Sequence, residues 1–532
     1  MRLSILPAIL LLLPLQIFAG GNSKLNTNID ILRYRFNLTL SDDYDTIRGS
    51  AVIDLRFLKA ADSVRLDLES VRPDGKGMKV ISVELNSASA GWKHNASKLA
   101  IAAGNSGKEG SNAVLTITYS GIPSNGLVIS QTKFGQRSFF ADHWPDRAGY
   151  YLPCIDHVSD KAAVEFIITA PEHYTVVSNG SLLEEKELPA GMKTTHWRED
   201  VPIPVKVMTF GAADFAFEQS GTAAGIPVWS YVYPENREEG FSDYALALKA
   251  VEFYSTLIGP YPFPKLANVQ SKTMFGGLEN AGCVFYSENS VTGTGRSEGL
   301  LAHEIAHQWF GNSVTEADWH HIWLSEGFAT YLTSMYWEKE QGDERLKADM
   351  KSARDRVLRT SGTAPKPVID TTITDLMRLL SANSYQKGAW VLHMLRHQTG
   401  DKEFRDGLRL YYSRYRDANA LTEDFMTVME EVSGQNLDWF FHQWLHVGGQ
   451  PELRTEWTYD SVIGETEIVI TQIQDYLFRF PLDLKIVTGN GEKIVRTECT
   501  EKITRLKINS AGKPVEVIPD PDVVLLFRPV IQ

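Results

Sequence analysis

Cysteine is scarce in this chain: Cys154, Cys283 and Cys499 are the only three among 532 residues. They allow at most one disulfide and lack metal-site spacing, so a disulfide scaffold is excluded and no thiolate metal centre is indicated. Their expected role is as small, buried apolar side chains. Excess positive charge is also missing. The formal net charge is −13, and phosphate binding needs clustered Lys and Arg, which argues against nucleic acid or an anionic membrane as partner. Beyond the first residues no segment approaches 18 uninterrupted apolar positions, so no membrane span is expected in the body of the chain. No internal repeat or low-complexity tract occurs. With 43% hydrophobic and 22% charged residues the chain is ordinary globular protein, and its length predicts two to four domains.

The N-terminus has the pattern of an export signal over residues 1–19. Arg2 supplies the positive charge, Leu3 to Phe18 is mostly apolar, and Ile17 and Ala19 flank the expected cleavage site. The protein is expected to be exported, periplasmic or secreted; an uncleaved N-terminal anchor is the alternative. Pro7 and Pro14 disfavour a long spanning helix, and no cysteine follows closely enough for lipid attachment.

From about Ile29 to Phe217 runs such as Ala113–Tyr119 alternate apolar and polar residues, which predicts an antiparallel β domain over 20–217. From 218 to 448 apolar residues recur at helical spacing, as in Ser242–Leu257 and Gly388–His397. After Gly448-Gly449-Gln450-Pro451 strands return, with Gly489-Asn490-Gly491 as a hairpin turn, which predicts a small β-sandwich over 449–532. The expected fold class is therefore multidomain α+β.

The chemistry begins at His303-Glu304-Ile305-Ala306-His307. Positions i and i+4 share a helix face, so both imidazoles can reach one ion, and Glu304 beside them can take a proton from an activated water. A gap of eighteen residues separates His307 from Glu326, which lies near the start of a second predicted helix, Ser325 to Glu340. A third ligand there leaves one position open, as a catalytic zinc site requires. One zinc per chain on His303, His307 and Glu326 is the expectation.

This pattern resembles the gluzincins and, within them, the aminopeptidase N and leukotriene hydrolase-like family. Gly276-Gly277-Leu278-Glu279-Asn280 resembles the exopeptidase motif G-x-M-E-N. Trp323–Ala329 resembles W-L-N-E-G-F-A with Ser325 in place of Asn, and Tyr385-Gln386-Lys387-Gly388 is similar to Y-x-K-G. Trp144-Pro145-Asp146-Arg147 with Leu152-Pro153-Cys154 resembles the β-domain segment that reaches the active site. The resemblance implies a thermolysin-like, mostly helical catalytic domain over 218–448. It implies Glu304 as general base and Tyr385 as donor to the oxyanion. Gly276, Gly277, Leu278, Glu279 and Asn280 would bind substrate, with Glu279 on its α-ammonium. The implied partners are peptides with a free N-terminus. Two departures stand out: Leu278 replaces the usual Met, and the large C-terminal helical domain of many relatives does not follow the last β segment, which implies a less enclosed site.

Three rivals share these features. A thermolysin-like endopeptidase has the same ligands but not the exopeptidase motif. A lipid epoxide hydrolase of the same family is disfavoured because Leu380, not a second tyrosine, stands five before Tyr385. A non-catalytic binding or adhesion protein of the same fold would be expected to have lost a ligand or the base, and all are present.

Overall fold

The computed structural model describes residues 27–360, 362 and 365–530; the expected signal segment lies outside them. The first region is built on an eight-stranded sheet. Its order is Ser181–Leu188, Met192–Pro204, Lys161–Pro171, Ile29–Thr39, Ile47–Phe57, Asn112–Ile122, Gly77–Leu85 and Ala88–Ser89. Alternation builds it: Tyr34, Phe36 and Leu38 from one strand and Ala51, Ile53 and Leu55 from the next all point into the same core. The antiparallel expectation needs one correction. Ile29–Thr39 and Lys161–Pro171 pair in parallel, Arg33 opposite Ala163, because the long connection between them carries the intervening strands and returns in the same direction.

The second region opens with strands, not helices. A five-stranded sheet runs Ala216–Ala223, Ile226–Val232, Leu266–Ser271, Cys283–Ser287 and Gly277–Leu278. The division expected at 217/218 thus falls inside its first strand, which pairs onward through Ile226–Val232. The single helix expected over 242–257 is two, Arg237–Tyr244 and Ala247–Leu257. The buried Asp243 carboxylate near the break accepts from the backbone of Thr292, Gly293 and Gly295, so it serves the following loop. Below the sheet lie helices Glu298–Ala306, Trp323–Gln341 and Gly388–Thr399. The last two touch backbone to backbone: a Cβ on Gly327 would lie 2.9 Å from Gly388 Cα. Only glycine at both positions allows that approach.

The final region is two sheets of four and three strands joined through hairpins, one of them at Gly489–Gly491, and its inner face is lined by Ile468, Ile470, Leu482, Leu484 and Ile486. N-terminal α-free β region, helical middle and C-terminal β sheets therefore give the α+β class expected. Cys154, Cys283 and Cys499 are all free and buried. Among the described residues no helix is long and apolar enough to cross a membrane.

Two lysines, Lys206 buried and Lys161 partly buried, fasten the first region to the second. Lys206 pairs with Glu316, both sequestered from solvent. Lys161 donates to Ser313 O at 2.6 Å and Asn312 O at 3.1 Å. The loop that follows the motif helix is thus held by the N-terminal sheet.

Candidate active site

The motif helix Glu298–Ala306 buries Leu301, Ala302, Ile305 and Ala306 against its neighbours. That leaves His303 and His307 on one side, with their Nε2 atoms 3.3 Å apart. Glu326, in the first turn of helix Trp323–Gln341, brings its Oε2 to 3.5 Å from His303 Nε2 and 3.3 Å from His307 Nε2. Three electron-rich atoms at such spacing fit a single ion. Zinc bonds to N and O of about 2.0–2.1 Å put tetrahedral ligand atoms about 3.3 Å apart.

The tautomer of His307 is fixed from behind. Its Nδ1 donates to Phe310 O at 3.3 Å, with Ser325 Oγ at 3.0 Å on the same nitrogen, so the Nε2 lone pair faces the cluster. Gly311 makes room for this: at φ +126° it is in a region that favours glycine, and a Cβ would lie 2.4 Å from Ser325 Oγ. Burial opposes the charge on His307, yet the neighbouring carboxylate of Glu326 lifts its pKa to about 9. Burial lowers that of His303.

Around the trio is a pocket lined by Trp144, Phe275, Gly277, Leu278, Glu279, Glu304, Leu380 and Tyr385. Its lining contains three carboxylates and, among the described residues, no Lys or Arg. Burial first, and then the charges of Glu279 and Glu326, push Glu304 well above the usual carboxylate range, against the pull of His307. Glu279 is buried and its Oε1 has no hydrogen-bond partner among the described residues. A buried unpaired carboxylate is costly unless a cation meets it.

Tyr385 sits on a single π-helical turn, Asn383–Lys387, directly before helix Gly388–Thr399. The Gly327–Gly388 contact draws this turn in, and the Tyr385 ring stacks on His303, centroids 6.1 Å apart. Burial and the charges of Glu326, Glu279 and Glu304 hold its hydroxyl well above the usual phenol value, so it remains a donor. Lys387 of the same turn is buried and donates to Gly449 O at 2.7 Å, tying the turn to the junction with the last region.

Strand Gly277–Leu278 is the edge of the five-stranded sheet. One side pairs with Cys283–Ser287, Gly277 opposite Tyr286. The pair also lines the pocket, where an extended chain could add as a further strand. The edge passes so close to Glu304 that a Cβ on Gly277 would lie 2.3 Å from its Oε1.

Two family models match this chain: the peptidase M1 N-terminal domain over residues 31–205 and the peptidase family M1 domain over residues 244–444. Together they take in more than half of the sequence. The chain belongs to the peptidase M1 family.

Its relatives include the probable aminopeptidase 2 of Sulfurisphaera tokodaii, 27% identical over 84% of this chain and 58% of that protein. Another is the glutamyl aminopeptidase of Rattus norvegicus, 28% identical over 63% of this chain and 38% of that protein. This M1 chain therefore spans little more than half, or less, of the length of these relatives. Among solved structures, Legionella pneumophila aminopeptidase A in complex with aspartic acid superposes with a TM-score of 0.81 at 18% identity, over 95% of this chain and 60% of that one. An M1 zinc metallopeptidase from Deinococcus radiodurans gives 0.68 at 23%, over 80% and 95%. At these identities the structures speak for a shared fold.

The structure brings His303, Glu304, His307, Glu326, Glu279, Leu278, Gly277 and Tyr385 to one pocket. Gly276 and Asn280, also expected to bind substrate, do not line it. Asn280 is buried, with its backbone engaged in the turn to Cys283, and Gly276 O accepts from Ser287 N at 2.9 Å. Phe275 was not anticipated; its contact with Trp144, centroids 6.0 Å apart, joins the two regions at the pocket wall. Gly277→Ala should displace the Glu304 carboxylate while leaving the His303–His307–Glu326 trio intact. The expected outcome is a fall in kcat of about 10²-fold, the scale of a misplaced catalytic group, at unchanged metal content, checked by steady-state kinetics with elemental analysis.

Proposed function

We propose that this M1 protein is a zinc aminopeptidase that hydrolyses the first peptide bond of peptides with a free N-terminus. One observation carries the reading: the buried Glu279 carboxylate, whose Oε1 has no hydrogen-bond partner among the described residues, shares a pocket with the His303–His307–Glu326 trio and Glu304. His303, His307 and Glu326 would hold one zinc, which when bound supplies Lewis-acid polarisation of water and carbonyl.

The chain's own groups divide the remaining work. Glu279 pairs with the substrate ammonium and so places the first carbonyl at a set distance from the base. The substrate backbone adds to the Gly277–Leu278 edge. Glu304 accepts the proton of the attacking water and delivers it to the departing amine nitrogen. Tyr385 donates to the oxygen of the carbonyl as it becomes an oxyanion. Trp144, Phe275, Leu278 and Leu380 form an apolar wall that shelters the reacting atoms. With no Lys or Arg in the lining, this wall suits an apolar first side chain better than an acidic one. The Arg2-led apolar N-terminal segment supports export.

Removal of substrate charge separates this from the endopeptidase alternative. N-acetylation deletes the cation that Glu279 requires, so acetylated peptides should be cut at least about 10²-fold more slowly than free ones, on the scale of a lost buried charge pair. Equal rates on both would replace the exopeptidase reading with an endopeptidase one. Tyr385→Phe keeps the ring that stacks on His303 and removes only the donor. The expected loss is about 10²–10³-fold in kcat with little change in KM, zinc content or thermal stability. A folded, zinc-loaded variant within about twofold of wild-type kcat removes Tyr385 from the chemistry.

A further inference from the structure

Glu279 can select a free amine only if its own position is fixed relative to the base and the trio. Its carboxylate does not provide that, since Oε1 has no partner. The main chain does. Glu279 O accepts from Gln308 Nε2 at 3.1 Å and from Asn312 Nδ2 at 2.5 Å. Gln308 Oε1 accepts from Gly282 N at 2.8 Å, and its Nε2 also reaches Glu304 O at 3.2 Å. Gln308 directly follows His307, and both Gln308 and Asn312 are fully buried. One amide side chain thus spans both ends of the Glu279–Gly282 turn and the backbone of the base. From the far side, Asn179 Nδ2 donates to Ala281 O at 2.7 Å and Lys265 Nζ to Gly282 O at 3.1 Å. The turn is thus held by hydrogen bonds to Gln308 and Asn312 and also to Asn179 and Lys265.

We propose that Gln308, assisted by Asn312, is a positioning residue that sets the distance from the amine anchor to the catalytic groups. The protein thereby accepts α-aminoacyl peptides and rejects those whose amine lies one carbon farther from the carbonyl. The proposal rests on the aminopeptidase reading above. Its physical content is a length: one additional methylene extends the amine by about 1.3 Å, and an error of about 1 Å at a reacting centre costs about 10²-fold in rate. Gln308 touches neither substrate nor zinc ligand atoms, so it acts through Glu279 and the Glu304 backbone.

The test compares alanyl and β-alanyl p-nitroanilides, which share a leaving group and differ by that methylene. The zinc-loaded wild type should prefer the alanyl compound by about 10²-fold in kcat/KM. Gln308→Met keeps volume and removes all three hydrogen bonds. It should lower kcat/KM for the alanyl substrate by about 10- to 100-fold, spare the β-alanyl one, and so shrink their ratio at least about tenfold, with zinc content unchanged. A purely structural role predicts equal losses on both and an unchanged ratio, which would overturn the proposal, as would a wild type that cuts both equally. Asn312→Ala, which loses one donor to the same carbonyl, is read in the same way and keeps the test alive if Gln308→Met does not fold. A wild type that cuts N-acetylated peptides as fast as free ones counts against the aminopeptidase reading itself. A wild type selective for free amines whose variants keep the alanyl to β-alanyl ratio counts against Gln308 alone.

Discussion

Three carboxylates, Glu279, Glu304 and Glu326, converge in one pocket whose lining, among the described residues, holds no lysine or arginine. Everything else about the site follows from that electrostatic deficit. Like charges brought together in a low-dielectric space repel, and burial together with the charges of Glu279 and Glu326 pushes Glu304 well above the usual carboxylate range. Burial lowers the pKa of His303, so the offset within the pocket comes from His307, whose pKa the neighbouring Glu326 lifts to about 9 against burial. Under the proposed function the remainder is met by cations from outside the chain: a divalent metal between the two imidazoles and Glu326, and a substrate ammonium at Glu279. In that reading metal binding and recognition of the free N-terminus are two uses of one imbalance, and Glu304, the carboxylate left between them, is the proposed base.

Such a pocket needs a rigid frame, because close negative charges push their supports apart. The frame is made from backbone contacts more than from ion pairs. Glycine at 327 and 388 lets two helices touch and carries the Tyr385 turn against His303. Glycine at 277 lets a sheet edge pass over the Glu304 carboxylate. Glycine at 311 admits Ser325 behind His307. Around this, Lys161 and Lys206 reach across from the N-terminal region to the loop that follows the motif helix. The first region therefore contributes Trp144 to the pocket wall and also anchors the segment on which the ligands depend.

The sequence made the local part of this legible. His303 and His307 sit one helical turn apart, so their common face follows from helix geometry alone, and the second helix was expected within a residue or two of where Glu326 lies. Alternation in Ala113–Tyr119 likewise revealed a strand. What escaped were features set by distant partners. Strands Ala216–Ala223 and Ile226–Val232 lie almost wholly past 217, where a largely helical region is expected, and their sheet is completed only by residues about 40 positions later. The helix break near Ala245 was invisible because Asp243 serves a loop some 50 residues away. Gln308 and Asn312 carry no signal of their own; their hydrogen bonds go to a backbone carbonyl about 30 residues upstream, and no periodicity marks such a contact.

The claim at the centre is that the cluster of two imidazoles and a carboxylate is built for a cation. It is tested most directly by zinc titration of chelator-treated protein, following bound metal and thermal stability together. One zinc per chain should bind and raise the melting temperature, since a ligand that binds only the folded state stabilises it. His307→Ala should abolish both effects. Protein that binds no stoichiometric zinc, or whose melting temperature and zinc content are the same in His307→Ala as in wild type, would contradict it.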